Sequence, residues 1–469
     1  MTKARQYFVL PALPIATFLT CTIFLQTKKA PWVDECYTYY GITHNTFGQF
    51  ADSICSGVNF SPPLYFFLNW MVQLVFQIPL EALRVESALW ISLGSLLMFL
   101  RCAKTFGLIA AFLGLSMILL QSDLLMEQAL EARHYGMFFA CSSLVLFLFP
   151  ENINFLSKTH KFLYFIGLLA LGLTHYLGII FCIIAGITRL WHLRKESTKI
   201  SLILPEISSM FILATIYLLF LSIQSSHLGN WPRPNDVKSL LHVYLSSISP
   251  LTILIVVVPF LFLPIKRGSE NSEIKRKSHS PVLTVSVLWL LAPLFFWILS
   301  HIWTLNLFKE RYFIPKEAAI ILLITFAIHA IMKWFDELKP TAARIMILVP
   351  YLASLGIFAL NAKRVIFSLN PTRNYHSKLI IDNNIINDSI PKVFFGDHLY
   401  FPNIYQTGLE NKLLLVENKQ IEGTYKRFNK NLNMVTQATT PAEAHILIKH
   451  HDQSDEFWRA VYVIPDRTP

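Results

Sequence analysis

The stretch Trp32-Val33-Asp34-Glu35-Cys36-Tyr37 sets two adjacent carboxylates shortly beyond the first apolar run of the chain, residues 7–26, where a membrane meets water. Chains built from apolar spans carry few ionisable residues near them, and those they keep tend to bind or react. The two acids are therefore read as a functional pair acting on a lipid-linked or membrane-edge substrate. The structural alternative for the same residues is a solvated loop or the capped first turn of a short interfacial helix.

The rest of the chain gives that pair its setting. Of 469 residues, 54% are hydrophobic and only 15% charged, and the mean hydropathy is +0.47, values of an integral membrane protein rather than a soluble one. The net charge of +11 does not point to nucleic acid, because the basic residues gather in short loops between apolar runs, as at Lys266-Arg267 and Lys275-Arg276-Lys277. Such clusters mark the cytoplasmic side, and no basic stretch interleaved with aromatics suggests a nucleic-acid surface.

Residues 7–26 follow Lys3 and Arg5 and precede Lys28-Lys29 with no small-residue cleavage site, so they read as an uncleaved anchor with a cytoplasmic N-terminus. Ten further runs approach the roughly 20 apolar residues that a crossing needs: 84–101, 105–120, 135–150, 161–174, 176–192, 201–222, 249–265, 282–302, 314–333 and 342–360. The expected fold class is an all-α polytopic membrane protein of about eleven transmembrane helices. Residues 62–78 either cross or lie in the interface. With that segment flat and the run 161–192 broken at Thr174-His175-Tyr176, the basic loops fall on the inner side, among them Arg101, Lys104, Arg189 and Lys333, and the acidic pair falls outside.

Beyond residue 360 charges return and apolar residues come in short blocks at 378–381, 392–395, 413–416, 445–448 and 460–464, which read as strands; Thr440-Pro441-Ala442-Glu443 reads as a helix start. The expected division is a transmembrane domain over 1–360, with an outer-face loop over 27–83, and a small α/β soluble domain over 361–469 on the outer, periplasmic side. Cys36 and Cys55 share the outer loop and are a candidate disulfide in an oxidising compartment.

On this topology five polar segments share one face: Asp34-Glu35; Asn59-Phe60-Ser61-Pro62-Pro63-Leu64-Tyr65; Glu131-Ala132-Arg133-His134-Tyr135; Thr174-His175-Tyr176; and Glu310-Arg311-Tyr312-Phe313-Ile314-Pro315. In that order the segments resemble the membrane glycosyltransferases of the C-type fold, especially bacterial relatives of the protein O-mannosyltransferases and of the lipid A aminoarabinose transferase, over essentially residues 1–360. The resemblance implies inverting transfer of a sugar from a polyprenyl-phosphate donor to an acceptor hydroxyl on the outer face of a bacterial inner membrane, the acceptor being a glycolipid, polysaccharide or protein. It also implies Asp34 as general base. The chain departs from the family where Phe60-Ser61 precede Pro62-Pro63 in place of a charged residue or His, with Asn59 as the nearby substitute. It departs again where Gly136-Met137-Phe138 replace a following acid.

The chemistry asks for the same residue types. Displacing a lipid phosphate from an anomeric carbon needs a carboxylate to take the acceptor proton and donors to hold the departing phosphate. Asp34 and Glu35 are the catalytic candidates. Arg133, Tyr135, His175, Arg311 and Tyr312 are the candidates for donor phosphate or sugar, Arg being suited to phosphate by its planar fork. Snorkelling at helix ends is the structural alternative for the two arginines, a hydrogen-bonded helix break for His175, and an interfacial aromatic belt for the tyrosines. No resident cofactor is read; if a divalent cation assists, Glu35, Glu131 and His175 are the candidate ligands. A transporter or flippase of a lipid-linked saccharide is the alternative function, although such proteins place polar sites near the midplane and repeat their halves.

Overall fold

The structure is a computed structural model. It describes residues 3–29, 31–150, 157–193, 203–224, 237–254, 280–302, 308–334 and 340–369, together with 392–394, 413–416, 434–435, 445–448 and 461–463. The helices are α1 Lys3–Gln26, α2 Val33–Ile42, α3 Phe47–Cys55, α4 Leu64–Phe76, α5 Leu80–Phe106, α6 Leu108–Gln121, α7 Asp123–Ala129, α8 Tyr135–Leu148, α9 Lys158–Thr174, α10 Gly178–Leu193, α11 Leu204–Gln224, α12 Val237–Leu245, α13 Pro281–Ile302, α14 Pro315–Trp334 and α15 Pro340–Leu369. Every span expected from the sequence except 249–265, which lies largely outside the described residues, coincides with one of them. Among the described residues five helices are long and apolar enough to cross a membrane, within α1, α5, α11, α13 and α14, or six if the pair α6 and α7, bent by 66° at Ser122, counts as one span. The expected eleven therefore rests in part on shorter apolar helices such as α8 and α10. The protein is an integral membrane protein, and large apolar side chains on these helices, Phe24, Phe211, Leu218 and Phe295 among them, stay exposed as lipid contact requires.

The chain forms two compact units. The first takes in Met1–Thr27, Arg84–Leu218 and Gly229–Arg364. Its core is α14, packed by α6, α8 and α13, with α1 against α6, α9 against α8 and α10, and α10 against α13. The α6–α14 contact is close because Gly114 leaves room for it: a Cβ there would stand 3.1 Å from the Thr325 Cα. Buried polar groups fix the helix ends. Gln26 Nε2 donates to the Arg84 and Ala129 carbonyls at 2.9 and 2.7 Å, joining the end of α1 to α5 and α7. Gln121, at the α6–α7 bend, donates to Ser354 Oγ at 2.8 Å and accepts from Ser249 Oγ at 2.6 Å.

Two of the basic residues expected to anchor the inner side are instead buried parts of this core. Arg101 donates to the Phe147 and Phe149 carbonyls at 3.3 and 3.1 Å and so caps the C-terminus of α8. Arg189 pairs with Glu206 at 2.6 Å, both nearly inaccessible, joining α10 to α11.

The second unit takes in Lys28–Leu83, Leu219–Leu228 and Val365–Pro469. Its helices α2, α3 and α4 are tied by Trp70 Nε1 donating to the His44 carbonyl at 2.9 Å and by Trp70 stacked on Phe50, centroids 5.0 Å apart. The question of residues 62–78 turns on length: α4 has 13 residues, about 20 Å at 1.5 Å per residue, short of the roughly 30 Å hydrocarbon. One face of α4 buries Tyr65, Phe66, Asn69 and Trp70 while Met71, Val75 and Phe76 stay exposed, the pattern of an interfacial helix. Cys36 and Cys55 are both thiols, so the candidate disulfide between them is not formed.

Five short strands, β1 Lys392–Phe394, β2 Leu413–Val416, β3 Met434–Val435, β4 His445–Ile448 and β5 Val461–Val463, make one sheet in the order β3-β2-β1-β5-β4. β1, β2 and β3 run parallel, whereas β5 is antiparallel to β1 and β4. Four of these strands fall on expected blocks and β3 on none; the blocks at 378–381 and the helix start at 440–443 lie outside the described residues.

Candidate active site

The first unit gathers Arg133, Tyr135, His175, Arg311 and Tyr312 from three separate stretches of chain. His175 stands at the break between α9 and α10. Its backbone is extended (φ −150°, ψ 140°), which ends α9, and Tyr217 OH donates to the Gly172 and His175 carbonyls at 2.6 and 3.0 Å, satisfying groups the break exposes. The apolar run 161–192 is thus two helices, as the charge pattern required. The Leu177 N–H donates to His175 Nδ1 at 3.0 Å, which leaves the ring hydrogen on Nε2 and makes that nitrogen a donor.

Rings close around this histidine. Phe138 stacks on it at 4.9 Å and 18°, with Tyr312 at 4.9 Å, His134 at 5.3 Å and Tyr135 at 5.9 Å. The Arg311 guanidinium lies over the Tyr135 ring, 5.5 Å from its centroid, a geometry that stabilises a cation without neutralising it. Arg133 is buried, 8% exposed, which sets aside the snorkelling alternative for it. Burial, then Arg311 and Arg133, drive His175 down to about 3. His134 is also held well below the ordinary imidazole value, by burial first and then by His175 and the same two arginines. The cluster therefore presents two cations, neutral imidazoles and phenol rings, donors of the kind that suit an anionic group.

Local structure explains how these residues are held. Ser87 Oγ of α5 donates to the Arg133 carbonyl at 3.3 Å. At Gly136 a Cβ would stand 2.6 Å from the Ser87 carbonyl oxygen, so the first turn of α8 sits directly on α5 and positions Tyr135. This close approach is the physical reason for glycine at 136. Arg311 and Tyr312 ride on a 3₁₀ turn, Glu310–Phe313. His242 Nε2 of α12 lies 3.2 Å from Glu310 Oε2. Below that turn, Lys316 Nζ meets Glu317 Oε1 at 2.6 Å, both fully buried, and Ser247 hydrogen-bonds both.

In the second unit, Asp34 and Glu35 occupy the first turn of α2, where the helix dipole favours carboxylates. Glu35 is fully buried; Oε2 accepts from the Trp32 N–H at 3.2 Å and Oε1 is 3.8 Å from Lys29 Nζ. That arrangement is half of a capping box, so for Glu35 the structural alternative describes what the side chain does. Asp34 is only half-buried. Asn59, the substitute suggested ahead of Pro62-Pro63, donates to the Tyr37 carbonyl at 2.7 Å and pins its loop to α2.

For metal, no group of three or more His, Cys, Asp or Glu side chains comes together among the described residues, and His175 Nδ1 is engaged by the backbone. His134 and Phe138 were not singled out by sequence reasoning. The signal for His134 was its place between Arg133 and Tyr135; Phe138 had none, being one apolar residue in an apolar helix.

No sequence family model matches the chain, and no curated protein matches it. Similarity to solved structures runs over its full length. ArnT from Cupriavidus metallidurans bound to undecaprenyl phosphate aligns with a TM-score of 0.60 and 13% identity, covering 96% of this chain and 97% of that one. The same protein in the apo state aligns with a TM-score of 0.60 and 13% identity, over 98% of each. An oligosaccharyltransferase from Archaeoglobus fulgidus aligns at 0.40 and 12% identity, covering 89% of this chain and 62% of that one. The chain has the fold of ArnT, the C-type fold of membrane glycosyltransferases.

Proposed function

We propose that the protein transfers a sugar from a polyprenyl-phosphate donor to an acceptor hydroxyl on the outer face of the membrane, with inversion at the anomeric carbon. The observation that carries this is the convergence of Arg133, Tyr135, His175, Arg311 and Tyr312 from three stretches of chain. It is supported by a fold shared over 96% of this chain with a protein solved bound to undecaprenyl phosphate. Arg133 and Arg311 hold the donor phosphate and stabilise the charge that grows on it as the glycosidic bond breaks. His175 donates from Nε2 to the same phosphate or to the sugar, and the tyrosine rings line the sugar. Asp34 takes the acceptor proton, while Glu35 fixes the turn that carries it. The acceptor is an envelope glycolipid, polysaccharide or protein; the domain over 361–469 lies on the same outer, periplasmic side, and the N-terminus is cytoplasmic in a bacterial inner membrane.

The test is reconstitution of purified protein in liposomes with radiolabelled polyprenyl-phosphate sugars and envelope acceptors. Wild-type protein is expected to move label to an acceptor, and Arg311→Ala to lose at least 100-fold in kcat/KM, about what removal of one transition-state donor costs. Failure of the wild type to transfer from any common donor sugar would contradict the assignment.

A further inference from the structure

Arg311 and Tyr312 ride on a 3₁₀ turn of four residues, Glu310–Phe313. A turn this short has poor hydrogen-bond geometry and little stability of its own, so its placement is set by what surrounds it. It packs against α7, α12 and α14. The stretch that follows α12, Ser246-Ser247-Ile248-Ser249, ties those three helices together. The Ser246 carbonyl accepts the Asp123 N–H, in the first turn of α7, at 2.8 Å. The Ser247 hydroxyl accepts from Lys316 Nζ and donates to Glu317 Oε1, both in the first turn of α14, while the Ser247 N–H donates back to the Tyr244 carbonyl of α12 at 3.1 Å. Ser249 Oγ donates to Gln121 Oε1 at 2.6 Å, just ahead of the bend into α7.

α12 also reaches the turn directly, through His242 Nε2 at 3.2 Å from Glu310 Oε2, but these two ties differ in weight. His242 and Glu310 are 64% and 23% exposed, so water and salt screen their pair and it contributes little. Ser247 is fully buried, as are Lys316 and Glu317, and a hydrogen bond lost there strands its partners with no water to replace it. Both the donor and the acceptor capacity of the Ser247 hydroxyl are spent on α14. Because α7 leads into Arg133 and α14 follows directly from the Arg311 turn, the same four residues relate the two arginines to each other.

We propose that Ser247 is a positioning residue for the donor phosphate: by fastening α12 and the start of α7 to the first turn of α14, it holds the Arg311–Tyr312 turn against Tyr135 and His175. The phosphate role rests on the sugar-transfer reading, whereas the placement of the turn does not.

The test uses full-length protein with two readouts, hydrogen–deuterium exchange over residues 309–314 in detergent and transfer kinetics in liposomes with a radiolabelled polyprenyl-phosphate sugar. Ser247→Ala is expected to speed exchange of these amides about fivefold, the worth of one hydrogen bond, and to raise the donor KM by a similar factor with kcat and the acceptor KM little changed. Lys316→Met with Glu317→Leu cuts the same tie from the α14 side and is expected to reproduce both changes. Ser286→Ala, which removes a buried hydroxyl of α13 bonded to the Val282 carbonyl, is expected to produce neither. Unchanged exchange in both tie variants, an equal change in Ser286→Ala, or a fall in kcat with the donor KM unmoved would each overturn the proposal. Faster exchange with no transfer by wild-type protein from any common donor sugar would contradict the sugar-transfer reading, and with it the phosphate role, but not the placement of the turn.

Discussion

At the residue scale, the cluster in the first unit separates roles that sequence alone leaves open. Arg311 lies on the Tyr135 ring with its fork oriented by the 3₁₀ turn, so Arg311→Lys keeps the charge and loses the geometry. Its donor KM is expected to rise about tenfold, the equivalent of about 1.4 kcal/mol of binding, with kcat less affected; equal kinetics in the two proteins would remove the bidentate role. His175 is held down to about 3 by burial and the arginines, so over pH 4–7 the unfolded chain, with an ordinary value of about 6.5, binds the proton that the folded chain refuses. Stability is therefore full above about pH 6.5 and falls as pH drops below it. His134 acts with the same sign. Melting temperatures at pH 7.5 and 5.5 should differ less in His175→Gln than in wild type, and an unchanged difference would place the pH dependence elsewhere. Glu35 and Asp34 were one pair in the sequence because adjacency cannot tell a cap from a base. The Trp32 N–H bond makes Glu35 the cap, and Glu35→Gln, which can still accept that bond, should retain most of its transfer activity.

At the element scale, the helices were legible because apolar runs of this length have few other fates, and the break at Thr174-His175-Tyr176 was legible because a polar step interrupts an apolar run too long for one span. What lay beyond sequence was how helix ends are locked. Nothing in Lys316-Glu317 announces a fully buried ion pair completed by Ser247 from beyond α12. Removing one partner strands a buried charge, so Glu317→Ala is expected to destabilise by about 3–5 kcal/mol. Lys316→Met with Glu317→Leu should cost much less, as measured by thermal unfolding in detergent; the reverse order would mean the pair is not buried as a unit. Gly136 is equally silent in sequence. With the Ser87 carbonyl 2.6 Å from its would-be Cβ, Gly136→Ala must push α8 off α5 and shift Tyr135, and a transfer activity equal to wild type would show that Tyr135 does not need that placement.

At the scale of the whole molecule, composition and loop charge point to a membrane protein with distinct inner and outer faces, and the long apolar helices bear out its class. α14 is the element that most directly joins the faces: cysteines substituted at Lys309 and Lys333 should react with a membrane-impermeant thiol reagent from opposite sides of sealed vesicles, and labelling from one side would refute the crossing. The C-terminal strands were legible as short apolar blocks, except β3, whose two residues Met434-Val435 are too few to stand out from their neighbours. The order in which the strands pair was not, since it depends on contacts distant in sequence. The functional expectation rests only on the order of five polar segments, because each alone has a bland explanation. The claim that joins all scales is that Asp34 removes the acceptor proton, and it is tested by comparing sugar transfer from a radiolabelled polyprenyl-phosphate donor by wild type and Asp34→Asn, with donor binding measured in parallel. Asp34→Asn is expected to lose about 10²–10⁴ in rate with donor binding intact; equal transfer by both proteins would contradict the assignment of Asp34 as base.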